Sequence, residues 1–303
     1  VTTPPAAPLG TVGHYNLLER LDPSGPGELF RARDTHRGRT VAIRLLPADF
    51  AAAADARTLL VDDARPLTAL SHPNITTLFE AGEEGGRVYF AFEFARGRSL
   101  RSEMAGRTMN PRRALEIAIQ VADAVAEAHA AGFAHGGLSP ESIVVTDKGR
   151  AKIPTFHLAS LVGFDEARGD PGLRDYESPE EARGERPDDR SDVYSVAAIG
   201  YEMLTARRAP HKGASAPSAW NPRVSRELDE VILKSLAPNP DSRHQSAATF
   251  AAALRAVAAG LSGAEVEDDE EPPPGASRSR RVALAAAALA VAALTIGWML
   301  TRS

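Results

Sequence analysis

The chain has 303 residues, 43% hydrophobic and 25% charged, enough for one large domain or two lobes around a real core. Its formal net charge of −5 and pI near 6.0 argue against a nucleic-acid binder, which carries a basic surplus. The absence of cysteine excludes disulfides, thiolate metal sites and a cysteine nucleophile.

Residues 1–12 are Pro- and Ala-rich and lack the apolar segment of a signal peptide, so they read as an irregular N-terminus. Residues 14–21 read as a strand, 22–27 (DPSGPG) as a turn, 28–34 as extended and 40–46 as a β-branched, apolar strand. Residues 51–70 have helical composition, and 88–94 (VYFAFEF) form another strand. From Asn110 the apolar spacing becomes helical. Asn110 is the expected N-cap and Pro111 the first helical residue of 111–131. Residues 192–205, 227–236 and 247–259 read as buried helices. These elements predict an α+β architecture with a β-rich lobe over 13–95 and a helical lobe over 96–259.

Beyond residue 259, six acids in the seven residues 265–271, then Pro272, Pro273 and Pro274, cannot build a core. Residues 260–281 therefore read as a solvated linker. Residues 282–300 (VALAAAALAVAALTIGWML) carry no charge. A helix of that length rises roughly 28 Å, close to the thickness of a hydrocarbon core. Arg278, Arg280 and Arg281 precede this stretch and Arg302 lies in the short tail 301–303. The positive-inside rule then predicts a single span in the cytoplasmic membrane, with everything before it in the cytoplasm.

Several separated motifs, in order, make residues 13–258 resemble a bacterial-type serine/threonine protein kinase domain. Val41, Ala42, Ile43 and Arg44 stand where the family has V-A-I-K. Ser71 to Ile75 (SHPNI) resembles the start of its fourth strand and Phe92, Glu93 and Phe94 its hinge. His135 to Ser142 (HGGLSPES) replaces H-R-D-L-K-P-E-N, while Thr155, Phe156 and His157 replace D-F-G. Ser178, Pro179 and Glu180 replace A-P-E, and Arg190 to Ser195 (RSDVYS) opens a central helix. The resemblance implies a bilobal protein-kinase-like fold. It also implies a buried Glu180–Arg243 ion pair, and Asp192 holding the catalytic-loop backbone. Leu67, Leu78, His135 and Phe156 would form the stack that couples the lobes.

Phosphoryl transfer needs a lysine and metal ions on the phosphates and an aspartate on the attacking hydroxyl. At those positions the resemblance places Arg44, with Asp63 as its partner, then Gly137 for the catalytic aspartate and Ser139 for the neighbouring lysine. Ser142 and Thr155 replace the two metal ligands. Arginine keeps the charge but not the shape of lysine, and no carboxylate remains for a metal. Asp22 and Ser24 replace two glycines of the phosphate-covering loop, where Pro23 and Pro26 remove N–H donors, and only Gly27 remains. Pro66 falls inside the helix that carries Asp63. Arg44 is expected to pair with Asp63 or Asp22. Glu141 is expected to turn away from the cleft and Asp147 to sit in a hairpin turn. Between Ala159 and Glu177 the hydroxyl candidates are Ser160 and Tyr176, since Leu173 replaces a threonine, so switching by loop phosphorylation is not expected.

The expectation is a pseudokinase: no catalytic residues, no metal and no required cofactor. It would act as a membrane-tethered scaffold or allosteric regulator of a signalling or envelope partner, such as an active kinase. Leu29, Ala42 and Val144, with Arg44, match the walls of a nucleotide site. Two other readings therefore stay open: a regulator that binds ATP without metal, and a weak serine/threonine kinase with rewired groups.

Overall fold

Alternation along the sequence places the first lobe. A computed structural model describes residues 8–21, 27–48, 54–154, 174–185 and 187–268. In strand β3 (Glu28–Asp34), Phe30, Ala32 and Asp34 are buried and the residues between them are not, the period of a half-covered strand. With β1 (Gly10–Val12), β2 (Tyr15–Leu21), β4 (Arg39–Leu45), β5 (Leu78–Glu84) and β6 (Arg87–Glu93) it forms an antiparallel sheet of order β1-β2-β3-β4-β6-β5. One side buries Tyr15, Leu17, Phe30, Val41, Ile43 and Tyr89. The other carries Leu46, Phe90 and Phe92, packed with Leu60, Leu67 and Leu78.

Helix α1 (Ala54–Ala64) stops two residues before Pro66, and the chain continues as a 3-10 turn over Arg65–Ala69. A proline inside a helix has no N–H to give and clashes with the preceding turn. The helical stretch expected over 51–70 is thus divided where the proline requires.

The second lobe begins with β7 (Gly97–Ser99) and α2 (Leu100–Met104), followed by α3 (Pro111–Ala130). The Asn110 side chain caps α3 by accepting the Arg112 N–H at 2.9 Å. Next come β8 (Val144–Thr146), β9 (Ala151–Lys152), α4 (Pro179–Ala182), α5 (Asp189–Thr205), α6 (Arg226–Ser235) and α7 (Ala247–Asp268). In α5 every residue from Ser191 to Thr205 is buried, so this helix is the axis of the lobe. Helix α7 runs to Asp268, into the stretch read from sequence as linker. Its alanine-rich composition favours continuing the helix.

The lobes meet where Ile153 donates to the Asn74 carbonyl at 2.8 Å and receives the Thr76 N–H at 3.0 Å. The Asn74 amide also donates to the Ala151 carbonyl at 2.6 Å. Bilobal α+β architecture is therefore as expected. Among the described residues no helix is long and apolar enough to cross a membrane. Residues 282–300 lie outside them, as do 1–7 and the part of the expected linker beyond 268.

Candidate functional site

The segment from His135 to Ser142 lies between the lobes, and α5 holds it. The Asp192 carboxylate accepts the N–H groups of His135 at 2.7 Å and Gly136 at 2.9 Å, and contacts His129 Nε2 at 2.8 Å. Burial acts to raise its pKa, but these contacts and the two imidazoles outweigh it and hold the group below the ordinary aspartate value. Gly136 has φ +65°, a left-handed conformation that suits glycine and not the arginine the family motif carries there.

The next residue is Gly137, half-buried and without a side chain to meet a hydroxyl. Ser139 is buried. The Ser142 hydroxyl is engaged within the loop, accepting the Ser139 N–H at 3.0 Å and donating to its carbonyl at 2.9 Å. It therefore caps the 3-10 turn Pro140–Ser142. Among the described residues no group of three His, Asp or Glu side chains could hold a metal ion. These residues do not fit a magnesium–triphosphate site, which wants hard carboxylate oxygens. Thr155, Phe156 and His157 lie outside the described residues, as do Asp22, Pro23, Ser24 and Pro26.

Arg44 sits on β4 between Leu29 on β3 and Phe90 on β6. It is only 2% exposed, and burial pulls its pKa down to about 10. The expected partnership with Asp63 is not made: Asp63 faces solvent on α1. Among the described residues no ion pair joins the two. The helix that carries Asp63 ends one residue later, ahead of Pro66, and presents that face outward. Leu29, Ala42 and Val144 are half-buried. Gly27 keeps its place for a backbone reason. At φ +80° a Cβ there would lie 2.3 Å from the Leu45 carbonyl oxygen, so only glycine fits.

The Glu180–Arg243 pair is formed as expected. Arg243 grips Glu180 with two hydrogen bonds of 2.6 Å, and both side chains are buried. Leu67, Leu78 and His135 are buried, and Leu67 and Leu78 share one core cluster. Asp147 lies in an exposed turn and pairs with Arg96 at 3.1 Å.

Glu141 is taken up in a charge cluster that local sequence patterns do not reveal. Arg101 on α2 meets it at 2.7 Å and meets Glu202 on α5 at 2.7 Å. The Tyr176 hydroxyl contacts both Arg101 and Glu202. Tyr176 is 1% exposed, and burial together with Glu202 raises its pKa far above the ordinary phenol value. The one loop hydroxyl candidate within the described residues is thus locked inside the lobe. Replacing it by phenylalanine is expected to cost about 1–2 kcal/mol, the range for losing a buried hydrogen bond. An unchanged urea midpoint for Tyr176→Phe would show that the cluster does not need the phenol. Lys152 also grips the hinge carboxylate Glu93 at 2.7 Å.

Comparison with known proteins agrees with this geometry. The protein kinase domain family matches residues 15–257. A probable serine/threonine-protein kinase of Streptomyces coelicolor is 33% identical over 259 residues, covering 78% of this chain and 38% of that protein. PrkC of Bacillus subtilis, a serine/threonine-protein kinase, is 29% identical over 252 residues, covering 78% and 39%. PknB of Mycobacterium tuberculosis, also a serine/threonine-protein kinase, is 32% identical over 264 residues, covering 79% and 42%. The chain thus spans about two fifths of the length of these relatives. The crystal structure of the M. tuberculosis PknI kinase domain superposes with a TM-score of 0.69 at 25% identity, covering 84% of this chain and 99% of that one.

Proposed function

Given that the chain belongs to the protein kinase domain family, in its bacterial serine/threonine branch, we propose that it is a catalytically silent member that works by binding. In this reading it is a pseudokinase, tethered to the cytoplasmic face of a membrane by residues 282–300. There it scaffolds or allosterically regulates a protein partner, such as an active kinase.

The observation that carries the reading is the catalytic loop. Asp192 holds the loop backbone in place, yet the residue that should take the hydroxyl proton is Gly137. Ser142, where a metal ligand belongs, spends its hydroxyl on Ser139. Removing a positioned general base alone costs typically 10²–10⁴-fold. Removing a charge-stabilising metal site in addition leaves Arg44 as the one nominated group to offset the charge of the transferring phosphoryl group.

Transfer of radiolabelled phosphate from ATP with magnesium, to the chain itself or to a basic protein, is expected to stay at background. Transfer above background that Arg44→Ala abolishes would overturn the proposal in favour of a rewired kinase. Titration with ATP is expected to give no saturable thermal shift. A ligand at a hundred times its Kd raises stability by about 2.7 kcal/mol, which is readily seen. Such a shift without magnesium would instead make this a nucleotide-binding regulator, with Leu29, Ala42, Arg44 and Val144 at the site. Cross-linking in intact membranes is the direct route to the partner.

A further inference from the structure

The chain carries a net charge of −5, yet residues 203–226 contain five Lys or Arg and no Asp or Glu. This stretch runs from the last turn of α5 to the first residue of α6. It is pinned from below. Asn221 is buried and donates its side-chain amide to the Leu204 carbonyl at 3.0 Å. The buried Asp229 of α6 accepts the Ser218 N–H at 2.8 Å. A 3-10 turn over Pro217–Ala219 then presents Trp220, whose backbone N–H donates to the Pro217 carbonyl at 3.0 Å.

Trp220 stays 44% exposed, although burying so large a ring is among the greatest single gains open to a fold. Arg207 lies over its face, 3.8 Å from the ring centroid. The acids nearby have other engagements. Arg208 takes Asp175 and reaches the buried Glu202 at 3.4 Å. Asp229 is held by Ser218. The exposed Glu227 and Glu230 lie on α6, which carries Arg226 and Lys234 of its own. Arg207, Lys212 and Arg223 remain. All three are exposed, and none makes an ion pair among the described residues. The loop thus shows a large aromatic ring among uncommitted cations.

We propose that this face docks on an anionic lipid surface, with Trp220 entering the headgroup layer and Arg207, Lys212 and Arg223 meeting lipid phosphates. Tryptophan favours that layer, where part of the ring stays wet and part does not. Each Lys or Arg near such a surface tightens binding about fivefold. Acidic side chains alone would satisfy the cations but not the indole, and the bilayer supplies both. The docking rests on the membrane tether proposed above. A flexible chain as long as residues 269–281 averages roughly 20 Å end to end. The bilayer is then always within reach, and a weak surface suffices.

The test is the fluorescence of the full chain in lipid nanodiscs of brominated phosphatidylcholine, alone or mixed with phosphatidylglycerol. The chain has two tryptophans, so Trp298→Phe leaves Trp220 as the sole reporter and Trp220→Phe leaves Trp298. Trp298 is expected to be quenched in both lipids, and Trp220 only in the anionic one. Adding Arg207→Gln/Arg223→Gln should lower the ratio of docked to free lobe about 25-fold. Quenching of Trp220 is then lost while the urea midpoint stays, because both side chains are exposed. Suppose Trp298 is quenched but Trp220 is not, or Trp220 is quenched equally in both lipids or in the double variant. The docking surface is then overturned and the tether stands. A Trp220 emission that ignores lipid but responds to soluble polyglutamate would overturn it in favour of an acidic protein segment. An unquenched Trp298 would overturn the tether itself, and with it the docking.

Discussion

Arg243→Ala is expected to remove about 3–5 kcal/mol of stability, the range for stranding one member of a buried ion pair. That is a large share of the roughly 5–15 kcal/mol that holds a typical domain together. The guanidinium is fully enclosed, with its two 2.6 Å bonds to Glu180. It also donates to the carbonyls of Ala237 at 2.8 Å and Arg190 at 3.0 Å, and its plane lies 5.0 Å from the Tyr194 ring. Removing it leaves a buried carboxylate whose nearest compensation is the Ser191 hydroxyl at 2.8 Å.

Acid adds a second signature. Burial acts to raise the Glu180 pKa, but Arg243 and Ser191 outweigh it and bring it down to about 2. A carboxyl whose folded pKa is depressed contributes stability above its unfolded value, and that contribution is lost as pH falls toward the folded value. The deficit of the variant should therefore be greatest near neutrality and shrink between pH 4.5 and about 2. The Glu180→Gln/Arg243→Met double variant should be more stable than Arg243→Ala. If urea midpoints gave the same deficit at pH 3 and pH 7, the pair would not be the source of the loss.

Glu181→Gln is expected to stabilise the chain above neutral pH. Glu181 is buried at the start of α4, where its carboxylate accepts the Ser178 N–H at 2.8 Å and the Ser178 hydroxyl at 2.6 Å. Burial, helped by the charges of Asp192 and Glu180, raises its pKa from 4.5 to about 7. Here the folded state holds the proton more tightly than the unfolded chain does. Stability attached to this group therefore falls as pH rises from 4.5 through about 7, and the penalty is complete above that. The difference amounts to about 3 kcal/mol at most. Glutamine keeps an oxygen for both Ser178 donors and carries no charge. The variant should match the parent near pH 4.5 and gain about 5–10 °C in Tm at pH 8. A Tm difference that does not vary with pH would refute the assignment.

The parts of the fold that were legible from sequence are those with a local physical signal. Strand β3 follows from alternation between two turns, and α3 from a cap, a proline and helical spacing. The break at Pro66 follows from a missing N–H. Strand β5 is foreseen only through the resemblance, which starts a strand at residues 71–75, whereas it begins at Leu78. Its sequence, LFEAGEE, mixes acids and glycine because it runs along the edge of the sheet, where one side is left to solvent. The degenerate positions were legible because each belongs to a short motif with a known role. Of the two partners expected for Arg44, Asp63 is turned outward, and Asp22 lies outside the described residues. Alignment fixes which residues correspond, but the direction in which α1 presents Asp63 depends on how the helix ends and packs. The Arg101–Glu202–Tyr176 cluster joins residues up to 101 positions apart, and no periodicity encodes such a meeting.

Helix α5 is enclosed by protein along nearly its whole length, and this limits how news from outside can travel. A molecule docking on the outer surface of the lobe has no direct grip on that axis. It must push on what hangs from it: the loop suspended from Asp192, the segment end clasped through Tyr176 and Glu202, or the arginine seated beneath Glu180. Among the described residues, regulation of this lobe by contact therefore has these three handles, and each turns the same spindle.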